Sequence, residues 1–408
     1  MSTPFVFDAH VDSIQRQLDL GQDLGAVGPG QLDLVRGQRG GLGAVVLASW
    51  CEPDWIGSGD PGSEAVPLDP EARPERTGGA FERTMALVET SRALAAEHPE
   101  LALHVRTAAD LEAAVASNRA GGAQDSTQAD GAGRTGLIIG IEGGHSLESS
   151  LYNLQRFHDA GVRLLTLVWN NHLPWIRSCQ PVAPGHPFAV PSEAAGMSAF
   201  GVEVLERLNA LGWVVDISHS SDAAARVAIE RSRTPVIASH SGCRALSEHP
   251  RNLSDALLRQ LADAGGVVGV VFHGGFLSDE ARADDRRIYA DPAYRAIEGR
   301  NATEKWLLQT EYHQRVAPPF DLEVVADHIA HAVDVAGAEH VGLGSDFDGI
   351  PRGPRGLETA ADYPKLAAAL ARRGFSARDV ERVMGGNMLR VFGEVLKTVP
   401  VPAGAPGV

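Results

Sequence analysis

The sequence predicts an α/β protein built as one (β/α)8 barrel, and three observations support this fold class. Eight short apolar runs, rich in branched aliphatic residues, recur along the 408-residue chain. Amphipathic segments of helical period alternate with them, as a parallel sheet with helices on its faces requires. Several runs end in histidine or a carboxylic acid, and a closed parallel barrel gathers such ends at one mouth.

The predicted strands are continuous apolar runs flanked by glycine or proline, a pattern typical of strands buried on both faces. In chain order they cover residues 5–12, 42–50, 136–142, 162–169, 213–219, 235–240, 267–273 and 340–346. Eight strands favour a closed barrel over an open sheet. We therefore expect residues 1–408 to form a single catalytic domain.

Hydrophobic residues at helical spacing predict the helices between and after these strands. The predicted helices cover residues 81–98, 108–118, 151–160, 197–211, 222–232, 254–264, 321–336, 363–373 and 377–397. Ser254 and Ser376 precede two of them and are expected to act as N-caps, because a serine hydroxyl accepts an amide hydrogen of the first turn.

Four stretches interrupt the alternation and are expected to be long βα loops. They are the Gly/Pro-rich residues 57–79, the small polar residues 121–134, the Pro-rich residues 179–196 and the charged residues 274–301. Most of them follow a predicted strand. In a barrel they would lie over the C-terminal mouth, where such barrels place their active sites.

Composition excludes some partners. The chain carries 52 acidic against 36 basic residues, a net charge of −16, which disfavours nucleic acid and anionic membranes as partners. Its three cysteines are too few for a disulfide framework or a cysteine zinc site. The sequence lacks a secretory signal pattern and an apolar run of about 20 residues. We expect a reduced, cytoplasmic protein.

Five side chains at strand ends predict a metal centre. His10 and Asp12 lie two apart on the first strand and therefore point to the same side. Glu142, His219 and His240 end three other strands. A buried carboxylate costs several kcal/mol unless it is paired or metal-bound. This thiolate-free set suits Zn²⁺, or Mn²⁺ or Fe²⁺, and five ligands fit two ions bridged by one carboxylate.

Two further residues suggest amide hydrolysis. Asp346 ends the last strand, and a carboxylate beside two metals can pass a proton from water to a leaving amine. Asp348 lies one step further out and is interpreted as a loop cap. Arg251 follows the His240 strand, and its guanidinium fork could hold a substrate carboxylate.

Taken together, several motifs resemble the membrane dipeptidase family of the amidohydrolase superfamily. These motifs are DAHVDS, GLIIGIEGGHSL, RLLTLVWNNHLPW, DISHSS, PVIASHSGCRALSEHPRNL and HVGLGSDFDGIPRGPRGLE. The resemblance implies a (β/α)8 barrel with two bridged zinc ions that hydrolyses dipeptides. It also implies a homodimer.

The resemblance assigns roles to individual residues. His10 and Asp12 match the ligands of the first metal, His219 and His240 those of the second, and Glu142 the bridge. Asp346 matches the acid/base residue, and Arg251 matches the residue that binds the substrate carboxylate.

The chain departs from its animal relatives after the LTL of the fourth predicted strand. They have a substrate-contacting histidine where this chain has Trp169. His172 is predicted to replace it as a catalytic donor to the reaction intermediate, with Asn170 and Asn171 as alternatives. Trp169 and His273 are expected to line the substrate pocket.

The predicted substrate is therefore a dipeptide or a similar short N-acyl amino acid, and the predicted cofactor is two divalent ions, with Zn²⁺ favoured. Three alternatives stay open. Another amidohydrolase reaction, such as N-acyl-amino-acid or cyclic-amide hydrolysis, would use the same metals. A sugar-phosphate isomerase or aldolase would leave five metal ligands unexplained. A metal-binding homologue with little activity would result if Trp169 abolishes turnover.

Overall fold

The computed structural model describes residues 4–53, 79–121, 133–182, 186 and 189–397. The predicted loops 57–79 and 121–134 lie almost entirely outside these residues, as does part of the loop 179–196.

Nine parallel strands form the sheet, and eight of them close into a barrel. They are β1 (Val6–Val11), β2 (Leu42–Trp50), β3 (Ala102–His104), β4 (Thr135–Glu142), β5 (Val162–Thr166), β6 (Val214–Asp216), β7 (Ile237–Ser241), β8 (Val267–Val270) and β9 (Val341–Leu343). The ring runs β2-β1-β9-β8-β7-β6-β5-β4, and β4 pairs with β2 to close it. All eight predicted strands and the barrel are confirmed. The three-residue β3, which pairs with the start of β4, is too short to give a sequence pattern.

Sixteen α-helices occur in the described ranges, and ten of them correspond to predicted segments. The first eight are α1 (Ile14–Leu20), α2 (Leu34–Arg39), α3 (Ala80–Glu97), α4 (Ala108–Gly121), α5 (Leu151–Asp159), α6 (Ala199–Leu211), α7 (Asp222–Arg231) and α8 (Asp255–Asp263). The others are α9 (Gly274–Leu277), α10 (Asp279–Tyr289), α11 (Pro292–Arg295), α12 (Ala302–Val316), α13 (Leu322–Ala336), α14 (Tyr363–Arg372), α15 (Ala377–Glu381) and α16 (Asn387–Leu396). None of the helices in these ranges is long and apolar enough to cross a membrane.

Serine N-caps begin the predicted helices α8 and α15 and also α10, which was not predicted. The hydroxyls of Ser254 and Ser376 accept first-turn amides of α8 and α15, as predicted. The expected loop 274–301 is instead largely helical, comprising α9, α10 and α11. Helix α10 is capped by Ser278 and buries only Asp285 and Ile288, so its sequence shows no apolar period. Local capping rather than amphipathicity supports these short helices.

Apolar side chains fill the barrel, and α16 closes its N-terminal end. Phe7, Val46 and Ile138 from different strands belong to one buried cluster with the apolar face of α16. The Phe7 and Phe392 rings pack with their centroids 4.8 Å apart. A larger cluster fills the layer between the strands and the outer helices. The packed bottom leaves the C-terminal mouth as the place for polar chemistry.

Two strand pairs separate early, and buried carboxylates take over from the backbone ladder. The pairs β6–β7 and β1–β9 each have a single registered residue pair. At the first, Asp216 Oδ1 accepts the amides of Ser218 and Ser239 at 2.9 and 2.8 Å. At the second, Asp8 Oδ1 accepts the amides of His10 and Ser345 at 3.1 and 2.9 Å. Backbone donors that would otherwise be orphaned near the mouth are therefore satisfied.

Gly344 provides a test of how closely its backbone approaches that of Ser239, because a Cβ at position 344 would overlap the carbonyl oxygen of Ser239. A backbone oxygen cannot rotate away, so we expect Gly344→Ala to lower the thermal unfolding midpoint by several degrees. Gly393 in α16 is the matched control, since a Cβ there meets no atom within 4 Å and alanine favours a helix. Equal midpoints for both variants, measured by circular dichroism, would contradict the described packing.

Candidate metal centre

A cavity of about 490 Å³ opens at the C-terminal mouth of the barrel. Ten of the residues that line it are Asp12, Glu142, His219, His240, Asp346, Trp50, Trp169, Asn170, His273 and Phe276, which lie at or just after strand ends. Helix α12 forms another part of the wall with Thr303, Lys305 and Trp306. The structure therefore brings four of the five predicted metal ligands into one cavity, with the fifth, His10, directly beneath them.

One oxygen of Glu142 lies at the centre of the predicted ligands. Its Oε1 is 3.0 Å from His219 Nε2, 3.4 Å from His240 Nε2 and 3.6 Å from His10 Nε2. All four side chains are buried, with 5% or less of each residue exposed. A carboxylate that faces three imidazole nitrogens in this way can bridge two ions.

A second group of ligand atoms adjoins the first. Single ligand atoms of His10, Asp12 and Asp346 lie within 4.8 Å of one another, as do those of His10, Glu142 and His240. Gly349 makes the approach of the two aspartates feasible, since a Cβ at this position would collide with the carboxylates of Asp12 and Asp346. His10 belongs to both groups, so the two candidate sites are adjacent.

Burial perturbs the pKa values of the cluster in opposite directions. Burial raises the pKa of Glu142, although the nearby His10 opposes this, and burial and the Asp12 charge raise the pKa of Asp346. Burial lowers the pKa of His219 and of His240. Burial also acts to lower the pKa of His10, but Glu142 and Asp12 raise it to about 10. Three carboxylates thus compete for little positive charge, which divalent cations would supply.

Hydrogen bonds to Nδ1 direct the Nε2 atoms of His219 and His240 inward, where the two nitrogens lie 3.0 Å apart. The hydroxyl of Ser239 donates to Asp216 Oδ2 at 2.6 Å, so its oxygen accepts from His240 Nδ1 at 2.8 Å. Asn170 Oδ1 accepts from His219 Nδ1 at 2.9 Å. The network therefore assigns the proton to Nδ1 in both rings and leaves Nε2 as the lone-pair donor.

His10 supplies an independent test of fit. Its Nε2 is buried and has no hydrogen-bond partner in the part of the chain that the structure describes. It lies 3.6 Å from one carboxylate oxygen of Asp12 and 3.6 Å from one of Glu142, so a shared cation could bind all three side chains. The set of imidazoles and carboxylates, without sulfur, therefore fits divalent metal ions such as Zn²⁺.

Left-handed backbone places two of the key side chains. His219 and Asp346 have φ angles of 65° and 63°, which are uncommon for residues other than glycine. Each lies three residues after the end of a short strand, β6 or β9, and its side chain lines the cavity at the mouth. Strain of this kind clusters at functional sites.

Asp348 is tied into the scaffold, as its interpretation as a loop cap predicted. Its Oδ2 accepts from Arg16 Nη2 at 2.8 Å and from the Ser13 hydroxyl, and its Oδ1 accepts from the Gln31 amide at 2.7 Å. These bonds occupy the Asp348 carboxylate. Both aspartates line the cavity, but of the two Asp346 is the one that belongs to a candidate group of ligands.

The region after β5 places Trp169 in the cavity but His172 outside its lining. The Trp169 ring lies 5.0 Å from that of Trp50 and 6.2 Å from that of His219, centroid to centroid. His172 Nδ1 accepts from the Ser178 amide at 3.1 Å, and its Nε2 donates to the Pro181 carbonyl at 3.3 Å.

The prediction that His172 donates to a reacting group is therefore not supported by its position. Both ring nitrogens hold the backbone of the loop, and burial lowers the pKa of His172 to about 4, so the ring is neutral. Asn170, one of the alternatives, lines the cavity, but its side-chain oxygen orients His219.

Arg251 lies behind the cavity wall rather than in it. It is 3% exposed, donates from Nη2 to the His240 carbonyl at 2.9 Å, and stacks over Phe276 at 5.3 Å. Its Nε is buried without a hydrogen-bond partner among the described residues. His273 does line the cavity, and its ring stacks on Phe276 with 4.3 Å between centroids.

The sequence missed the orienting residues and part of the wall. Asp216 and Ser239 were visible as polar residues inside apolar runs, which is the signal that would have identified them. Lys305 and Trp306 lie on α12, which was not among the predicted helices, so the sequence did not identify them as part of the wall.

Comparison with known proteins agrees with this arrangement. Residues 1–400 match the family model described as membrane dipeptidase, peptidase family M19. An uncharacterized dipeptidase of Schizosaccharomyces pombe is 36% identical over 265 residues, which are 64% of this chain and 53% of that protein. The chain spans about half the length of the curated relatives that it matches.

Solved structures share the fold over nearly the whole chain. A probable dipeptidase, PvdM, from Pseudomonas aeruginosa superposes with a TM-score of 0.73 at 25% identity, covering 97% of this chain and 96% of that one. A metallo peptidase from Rhodobacter sphaeroides, solved with a phosphinate mimic of the dipeptide L-Ala-D-Ala, gives a TM-score of 0.69 at 22% identity. Its match covers 96% of this chain and 99% of that one. The family resemblance inferred from the motifs is confirmed.

The relay from Asp216 through Ser239 to His240 predicts a change in metal affinity. Asp216→Asn and Ser239→Ala remove the group that fixes the His240 tautomer, so we expect each to weaken binding of the more loosely held ion by about 10–100-fold. Competition with a chelator measures this directly. Ser91→Ala is the control, because Ser91 is equally buried but bonds only within α3. Unchanged affinity in both relay variants would show that the relay does not orient the ligand.

Proposed function

This chain belongs to the membrane dipeptidase family, and from that premise we propose that it is a metal-dependent hydrolase of dipeptides. The observation that carries the proposal is the convergence of three imidazole nitrogens on one oxygen of Glu142, with Asp346 beside them in the same cavity. Short N-acyl amino acids are the second candidate substrate class, because they contain the same amide bond.

We propose two Zn²⁺ ions as the cofactor. In this assignment His10 and Asp12 would hold one ion, His219 and His240 would hold the other, and the Glu142 carboxylate would be shared between them. When bound, such a pair lowers the pKa of a water molecule and polarises the scissile carbonyl.

The chain's own residues then move the proton and position the substrate. Asp346 accepts a proton from the attacking water and delivers it to the departing amine nitrogen.

Substrate placement is proposed to follow the walls of the cavity. Arg251 lies behind Phe276 on the β7–β8 side, where its guanidinium attracts the free carboxylate of the substrate. Trp169 and His273 form opposing parts of the wall and exclude water from the amide. His172 is assigned to loop structure and takes no part in this mechanism.

Metal analysis combined with an activity screen tests the proposal. We expect about two divalent ions per chain by plasma emission, and hydrolysis of L,L or L,D dipeptides by the loaded protein. Asp346→Asn should retain both ions and lose about 100-fold or more of turnover. Asp334→Asn, on the exposed side of α13, is the control and should match the parent protein. Failure to bind any metal, or full activity of Asp346→Asn, would refute the proposed mechanism.

A further inference from the structure

Glu52 is distinguished from the other charged residues that line the cavity by its lack of a partner. It makes no ion pair or hydrogen bond with any residue in the described ranges, and it is partly exposed at the mouth. The other lining charges are accounted for, because Asp12, Glu142 and Asp346 belong to the metal centre, Arg16 pairs with Asp348, and Lys305 lies 3.7 Å from Glu298. Within the described residues, Glu52 therefore offers one negative charge at the cavity wall to a ligand.

The register of β2 gives the height of Glu52 above the metal centre. Trp50 is the direct neighbour of Glu142 in the β2–β4 pairing, so both lie at the same level. Glu52 comes two residues after the end of β2, so it lies at most about 6–7 Å further out. Its side chain can bend back across part of this separation. A substrate whose carbonyl lies at the level of Glu142 would then have its amino end within reach of the Glu52 carboxylate.

Aromatic rings complete the surroundings of this charge. Trp50 and Trp169 pack with centroids 5.0 Å apart, and Trp169 also contacts the His219 ring at 6.2 Å. Both tryptophans line the same cavity as Glu52. A carboxylate and indole rings in one cavity wall form a combination that recognises ammonium groups, by charge and by cation–π attraction.

The position of Arg251 gives the substrate a direction. Strands β2 and β7 lie on opposite sides of the eight-strand ring, and Arg251 follows β7 whereas Glu52 follows β2. A negative charge on one side and a positive charge on the other suit a ligand with an ammonium group at one end and a carboxylate at the other.

We propose that Glu52, Trp50 and Trp169 form a subsite for the ammonium group of the substrate. This inference rests on the proposed amide hydrolysis and specifies its substrate class as dipeptides with a free amino end, in preference to N-acyl amino acids. The ammonium group is either the α-amino group or the side chain of a basic N-terminal residue, and both have the same chemistry.

The test compares Glu52→Gln, which removes the charge and keeps the shape, with the parent protein on matched substrates. Propionyl-alanine differs from alanyl-alanine only in lacking the α-ammonium group, and norleucyl-alanine differs from lysyl-alanine in lacking the side-chain ammonium group. We expect Glu52→Gln to lower kcat/KM for alanyl-alanine, or selectively for lysyl-alanine, by about tenfold or more. The value for propionyl-alanine, or its inhibition constant if it is not cleaved, should change less than about twofold. Glu206→Gln on the exposed face of α6 is the matched control.

The pattern of losses separates the outcomes. Loss on alanyl-alanine identifies the α-ammonium group, and loss confined to lysyl-alanine identifies the side chain. Equal loss on all four compounds, or no loss on any, overturns the subsite while the hydrolase assignment stands. If the metal-loaded parent protein cleaves no dipeptide, the proposed function fails. Calorimetric binding of alanyl-alanine and propionyl-alanine to the two proteins then still decides whether Glu52 recognises the ammonium group.

Discussion

The contact of three imidazoles with one buried oxygen of Glu142 is the constraint around which the barrel mouth is organised. Bringing several ionisable side chains out of water costs more than packing alone recovers, so every surrounding group must either supply a charge or fix a proton. The geometry of a closed barrel holds these buried ionisable side chains together. It delivers His10, Glu142, His219 and His240 from four strands that cannot move independently. Rigid delivery also matters chemically, because a displacement of about 1 Å can cost 100-fold in rate.

Buried carboxylates that accept backbone amides support the barrel mouth at two places. Asp8 and Asp216 lie just below the ligands and replace backbone pairing where strands diverge. Asp216 continues through Ser239 to a ligand nitrogen, whereas the other carboxyl oxygen of Asp8 accepts from the Tyr363 hydroxyl. A buried aspartate thus satisfies backbone amides where two strands diverge and, at β6–β7, also sets the tautomer of His240. Buried polar networks of this kind are stabilising only when every member is satisfied.

Sequence reasoning succeeded where a pattern has a strong physical cause. Eight buried strands produce uninterrupted apolar runs, and the closed parallel ring brings the polar residues that end these runs to one cavity at the mouth. It was less successful where structure depends on local contacts. Helix α10 is held by the Ser278 cap and a narrow buried stripe, so no periodicity reveals it. His172 looked available for catalysis because sequence spacing cannot show that backbone groups of Ser178 and Pro181 occupy both its nitrogens. The left-handed turns at His219 and Asp346 also leave no compositional trace, since neither residue is glycine.

The cavity wall has two origins, and this division has an evolutionary consequence. The candidate ligands lie at or just after strand ends, whereas Lys305 and Trp306 lie on α12, in the connection between β8 and β9. That helix is fastened from outside the ligand set, by Thr303 to Asp19 and by the Trp306 indole to the Asp348 carbonyl. Mutations in this connection can therefore reshape the cavity entrance while the group of candidate ligands is preserved. Proteins that share this barrel can diverge at the entrance independently of the residues on the barrel strands.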